Sequence, residues 1–208
     1  IARGLNPSKE DHFVTRFEAQ PIDRKFTIEG YDMEVTDQPG GRPQVKPLLD
    51  KKRSYKDVPY YANYTTDQYV QLPRGYLIAT HDQALITKIR QHGVAVEKLQ
   101  ESAKLNVEAY SVTRLSGAAR SSEGHYANSV EGQYLNKEME FPAGTYYISM
   151  AQPLGNLAAA LLEPEAQDGL LYWNYFDRYL SYQFQPVAKE YPVYKLHQRV
   201  NLVTEYLP

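Results

Sequence analysis

Along residues 141–180, FPAGTYYISMAQPLGNLAAALLEPEAQDGLLYWNYFDRYL, the apolar positions change their period twice. Pro142, Ala143 and Gly144 mark a turn, and Thr145 to Gln152 follow as an aromatic and β-branched run that predicts a buried strand. Pro153 ends that run. Leu154, Leu157, Ala158 and Leu161 then recur at the helical period, so a short helix is expected until Pro164 stops it. Asp168 is placed to cap a further helix, in which Leu170, Trp173, Phe176 and Leu180 form one stripe and Tyr172, Tyr175 and Tyr179 a second. The two stripes make a broad aromatic face that needs a covering layer, and Ala151 to Asp177 is the expected packing nucleus between sheet and helices.

Upstream, Phe13 to Phe17, Lys25 to Ile28 and Tyr31 to Val35 alternate as short strands after a polar lead-in, Ile1 to Asp11. Asp37 to Pro43, DQPGGRP, reads as a loop and as a candidate boundary; it lacks the spacing and the strand-to-helix setting of a phosphate cradle. Val45 to Asn63 is charged and broken by Pro47 and Pro59, and reads as loop with one helical turn. Gly75 to Ala79 is a strand. Thr80 with Gln83 resembles a capping box, Leu85, Ile86, Ile89 and His92 share a helix face, and Gly93 stands where a left-handed cap is expected. Val94 to Leu99 is a further strand, so a strand-helix-strand unit with parallel pairing is open here. Leu105 to Leu115, Tyr126 to Tyr134 and Lys137 to Phe141 add strands, with a turn over Gly117 to Gly124. Beyond Leu180, Pro186 and Pro192 suit wrapping or edge segments, with Tyr191 to Leu196 and Val200 to Tyr206 as edge strands.

Taken together, these elements predict an α+β fold: a mostly antiparallel β-sheet, a small strand-helix-strand unit and two or three short helices covering one face. Residues 1–63 form a variable β-rich lead-in or linker, and residues 64–208 the α+β domain.

Composition narrows the function classes. A formal charge of -2, with Lys51, Lys52 and Arg53 as the tightest basic run and a solvated loop its reading, gives no basic surface for nucleic acid. No apolar run approaches the roughly 20 residues of a membrane span. Cysteine is absent, which removes thiol catalysis and disulfides. The first residue is Ile rather than Met, so the sequence is expected to be a mature form or a piece of a longer protein. Tyrosine is abundant at 19 residues, the residue type of half-buried strands and of sugar or peptide grooves.

LPRGYLIAT, IRQHGVAVEKL and, above all, AQPLGNLAAALLEPEAQDGLLYWNYFD, Ala151 to Asp177, resemble the region that follows the catalytic domain in bacterial zinc carboxypeptidase-like proteins of the M14 peptidase family. The resemblance covers roughly Tyr64 to Leu180. It implies a noncatalytic C-terminal accessory domain, an upstream zinc-bearing catalytic domain as partner, and a periplasmic or secreted location. A free-standing tyrosine-rich module for cell-envelope glycan or peptide is the alternative.

The chemistry points the same way. Family members would hold zinc through a His-x-x-Glu pair and a later His. None of His12, His81, His92, His125 and His197 has Glu three residues on, and His81 and His92 lie at opposite ends of one helix. Folding can still bring His12, His125 or His197 to a carboxylate. Glu163, Glu165 and Asp168 crowd around Pro164, closer in sequence than two carboxylates working across a groove, so they are read as structural: Asp168 a cap, Glu163 an acceptor of backbone hydrogens. Asp177 is expected to be partly buried, with Arg74 or Arg178 as donor. Ser149, Ser111, Ser116 and Ser181 lack a nucleophile motif. No residue is therefore assigned to catalysis, cofactor or metal in this chain; zinc is expected in the parent's catalytic domain.

Overall fold

The computed structural model describes residue 7, residues 10–180 and residues 189–207. Most of the Ile1 to Asp11 lead-in, and Ser181 and Pro186, lie outside them. The chain divides into two compact units, residues 17–66 and residues 1–16 together with 67–208.

The smaller unit contains most of a two-stranded sheet made by β1 (His12–Thr36) and β2 (Gln44–Gln71). Edge-to-face rings bind the strands to each other, Phe26 with Tyr60 and Phe17 with Tyr64, both at 5.4 Å, and the Tyr55 hydroxyl donates to the Tyr31 carbonyl at 2.8 Å. The loop expected at Asp37 to Pro43 is the tip of this hairpin and joins two strands of one unit. There Gly40 takes a φ of +76° and the Gly41 N–H donates to the Gln38 carbonyl at 3.0 Å. Val45 to Asn63, expected as loop, is strand, and so is the Lys51 to Arg53 run. Each strand of a two-stranded sheet has an open edge, where prolines such as Pro47 and Pro59 are tolerated.

The larger unit holds β3 (Gly75–Ile78), α1 (Gln83–Gln91), β4 (Glu97–Leu99), β5 (Ala103–Gly117), β6 (Asn128–Phe141), β7 (Tyr146–Ser149), α2 (Gly155–Leu162), α3 (Asp177–Leu180), β8 (Lys189–Leu196) and β9 (Thr204–Tyr206). Seven strands form one sheet in the order β6-β5-β8-β3-β7-β4-β9, antiparallel at every pairing. The α+β architecture is therefore as expected. The strand-helix-strand unit is split: β3 and β4 run the same way but β7 lies between them, antiparallel to both.

Side chains alternate along the strands between two buried clusters. Tyr76, Ile78, Tyr110, Tyr146, Ile148 and Val193 join α1, α2 and α3 through Leu85, Ile89, Ala158, Leu162, Phe176 and Leu180. Leu77, Val107, Ala109, Tyr194 and Leu196 point the other way and pack with Leu99, Leu105 and Phe141. The helices thus cover one face.

Several local expectations shift. The cap of α1 is Asp82, whose Oδ1 accepts from the Ala84 and Leu85 N–H groups at 2.9 and 3.2 Å; Thr80 instead donates to the Tyr179 hydroxyl. His92 does reach a late carbonyl, that of Lys88 at 2.8 Å, and Gly93 adopts φ +83°. The helix expected from Asp168 to Leu180 is a chain of turns as far as Phe176, with only Asp177–Leu180 helical, because Asp168 and Asn174 take φ values of 67° and 68°. β9 lies at an edge, as expected of its segment, whereas β8 sits in the middle of the sheet. Pro192 is tolerated there because the β5–β8 register shifts between Ala109 and Ser111, which leaves Pro192 out of the ladder with β5.

Candidate functional site

Three strands set the polar heart of the larger unit. In one row across the sheet, Glu108 of β5 faces Lys195 of β8, which faces Tyr76 of β3. Lys195 alternates with Tyr194 and Leu196, so its stem rises on the helix-covered face and its side chain is 3% exposed. From above, α2 ends at Leu162 because Pro164 forbids its continuation, and Glu163 turns its side chain, 0% exposed, down onto the row.

Glu163 Oε1 lies 3.4 Å from Lys195 Nζ and accepts a hydrogen bond from the Tyr76 hydroxyl at 2.7 Å. The Tyr134 hydroxyl donates to Oε2, and Lys195 Nζ stands 4.2 Å from the centre of the Tyr134 ring. Burial, then the negative charge of Glu163, push the Tyr76 and Tyr134 hydroxyls well above the usual tyrosine range, so both remain donors. On the other side Glu108 Oε2 lies 3.4 Å from Lys195 Nζ and 3.0 Å from His197 Nε2. Burial alone would raise the Glu108 carboxyl, but the hydrogen bond to His197 and the charge of Lys195 outweigh it, and the group sits below its ordinary value. A carboxylate closed off by two phenols and an ammonium has no oxygen open to a substrate, so Glu163 ties helix to sheet. It accepts side-chain donors rather than the backbone hydrogens expected of it. The sequence signal for this cluster is a single lysine inside the apolar run YPVYKL; its carboxylate partner is too distant in sequence for any local pattern to reveal.

The same turn sends the next acid elsewhere. Glu165 accepts from the Tyr110 hydroxyl and lines a cleft of about 780 Å³. The start of β6, Asn128 to Gly132, forms one wall; the turn from Pro164 to Gln167 forms another, and Arg16, Gln68 and Tyr172 are among the other lining residues. Asp168 belongs to a third environment, since its Oδ1 accepts the Trp173 indole N–H rather than capping a helix. Asp177, half-buried as expected, accepts from the Asn128 side-chain amide, while Arg178 reaches Asp82 at 3.4 Å. The three acids around Pro164 are therefore parted by the fold.

The histidines part as well. His12 Nδ1 lies 2.8 Å from the Glu10 carbonyl, His92 caps α1, His125 stacks on Trp173 at 4.1 Å and bonds Asn174, and His197 meets Glu108. Among the described residues there is no group of three or more His, Cys, Asp or Glu side chains that could hold a metal ion. No helix among them is long and apolar enough to cross a membrane.

No protein-family model and no solved structure matches the chain. It is similar to proteins named Carboxypeptidase 2 from Trichophyton equinum, Trichophyton tonsurans and Trichophyton rubrum, 29% identical over 126 residues in each case. The match covers 60% of this chain and 22% of those proteins. The chain is thus a distant relative of fungal carboxypeptidase 2 sequences and spans about a fifth of their length.

Proposed function

We propose that this chain is a noncatalytic accessory domain of a zinc metallocarboxypeptidase of the M14 type, placed C-terminal to the catalytic domain in a periplasmic or secreted protein, where it supports that domain or shapes the entry to its cleft. The observation that carries the reading is the similarity to carboxypeptidase 2 proteins over only 22% of their length. The scattered histidines and the closed Glu163 carboxylate agree with it, since metal-assisted hydrolysis needs a grouped ligand set, an open coordination position and a general base beside the activated water. The zinc would then be held by the parent's catalytic domain.

The test has two arms. The reading frame upstream of Ile1 should encode a His-x-x-Glu domain, and removing residues 1–208 from that parent should reduce its stability or its handling of substrate. The isolated chain, titrated with zinc by calorimetry and assayed for release of C-terminal amino acids, should show neither a stoichiometric micromolar site nor zinc-dependent release. A stoichiometric micromolar site together with zinc-dependent release from this chain alone would overturn the proposal; zinc binding without release would not.

A second reading, a module that binds cell-envelope glycan or peptide, is favoured by the cleft, whose lining includes Gln68, Asn128, Gln167 and Tyr172. Saturable binding of cell-wall fragments, abolished by Tyr172→Ala, would select it.

A further inference from the structure

The unit of residues 17–66 lacks a core of its own. Nine of the seventeen large apolar side chains that stand exposed in the described chain belong to it, from Phe17 to Tyr64. A two-stranded hairpin is marginal in water without a further layer. Its charges say which layer fits.

Within this unit β1 carries five carboxylates, Glu18, Asp23, Glu29, Asp32 and Glu34, against Arg24 and Lys25. β2 reverses the balance with Lys46, Lys51, Lys52, Arg53 and Lys56 against Asp50 and Asp57. Asp32 and Glu34 are two apart and so share a face, as do Lys51 and Arg53. The ion pair from Arg53 Nη1 to Asp32 Oδ1, 3.0 Å, puts both rows on the same face. Leu49, two residues before Lys51 and 70% exposed, extends that face, and the Tyr55 ring, two residues after Arg53, lies over Gly30. One side of the ribbon thus bears an acidic row on one strand, a basic row on the other, and exposed apolar surface.

We infer that this face is an interface for a second copy of the chain. A surface with one acidic and one basic row complements itself when a two-fold axis runs along the ribbon, because β1 of each copy then lies over β2 of the other. A two-fold axis across the ribbon stacks like charges instead. The balanced charge of the unit also argues against a strongly acidic or basic partner.

Charge reversal with sedimentation velocity on the full 208-residue chain tests this. The wild type should be dimeric, with association weakened about tenfold by 0.5 M NaCl. K51E/R53E and D32K/E34K should each be monomeric. An equimolar mixture of the two variants should dimerise, and so should a chain carrying all four substitutions, since opposite rows again face each other in both cases. Restoration by mixing cannot come from variants that merely fail to fold. A wild type that stays monomeric at 100 µM, a single-row variant that dimerises like wild type, or a mixture that does not associate would each overturn the proposal.

Discussion

The Glu163 carboxylate and the Lys195 ammonium face each other at 3.4 Å with side-chain exposures of 0% and 3%, one at the end of α2 and the other on β8, an interior strand of the sheet. Removing a single partner of such a buried pair leaves a charge without compensation, which costs about 3–5 kcal/mol. Lys195 retains Glu108, so Glu163→Gln is expected at the low end, about 3 kcal/mol, and Lys195→Met at the high end. Urea unfolding of both variants and of the double variant measures this. Coupling should make the double loss smaller than the two single losses taken together, and strict additivity would mean that the pair contributes nothing as a pair.

Two tyrosines against the same carboxylate should respond in opposite ways. Tyr76 donates to Glu163, so Tyr76→Phe strips a buried carboxylate of a donor and should cost about 1.5–3 kcal/mol. The Tyr191 hydroxyl is buried with no hydrogen-bond partner among the described residues and feels the charge of Glu163. Its removal in Tyr191→Phe should be neutral or stabilising by up to about 1 kcal/mol. A loss of similar size in both variants would show that Tyr191 has a partner after all.

Acid should act on the other half of the row. The Glu108 carboxyl lies below its ordinary value of 4.5 when the protein is folded. A depressed folded value stabilises the fold above the unfolded value, and that contribution is lost as pH falls below 4.5 through the folded one. Glu108→Gln should therefore lower the Tm at pH 7 and flatten the fall of Tm as the pH drops below 4.5. An unchanged acid limb would place the titration elsewhere.

Trp173 shows what periodicity can and cannot disclose. Its stripe was legible: Leu170, Phe176 and Leu180 are buried as their spacing predicts, and β7 and α2 fall where the changes of period put them. Trp173 itself is only half-buried, stacked on His125 and tied to Asp168, because left-handed residues at Asp168 and Asn174 break the helix that would have carried it inward. Nothing in an apolar stripe signals a positive φ. Trp173→Ala should accordingly cost about 1–2 kcal/mol, less than the 3–5 of a fully buried tryptophan. Val45 to Asn63 was illegible for a different reason. A ribbon with both faces in solvent imposes no apolar alternation, and its open edges admit proline, so its strands read as loop. The Glu163–Lys195 pair joins two elements far apart in sequence, and the sequence of β8 suggests an edge because a bulge that accommodates Pro192 has no sequence signature of its own.

The approach of two backbones at Gly132 supplies the last prediction. Gly132 of β6 pairs with Val112 of β5, just before the register shift between Val112 and Arg114. A Cβ there would lie 2.3 Å from the Ser111 carbonyl oxygen and 2.6 Å from the Tyr110 ring. The carbonyl is backbone and cannot swing aside, so Gly132→Ala must separate the strands or tilt the ring. That ring packs edge-on against Tyr134 at 4.9 Å, and its hydroxyl donates to Glu165 at the cleft. Overpacking of this kind costs about 1–3 kcal/mol, to which the disturbed hydrogen bond adds about 1. Gly124→Ala is the control: Gly124 has φ +85° but open space around it, so only the backbone preference is lost, about 1–2 kcal/mol. Urea unfolding should rank Gly132→Ala as the more damaging, and near-ultraviolet circular dichroism should change for that variant alone as Tyr110 moves. If the two variants lose equal stability with unchanged tyrosine signals, the strands are not held together at Gly132 as closely as this geometry requires.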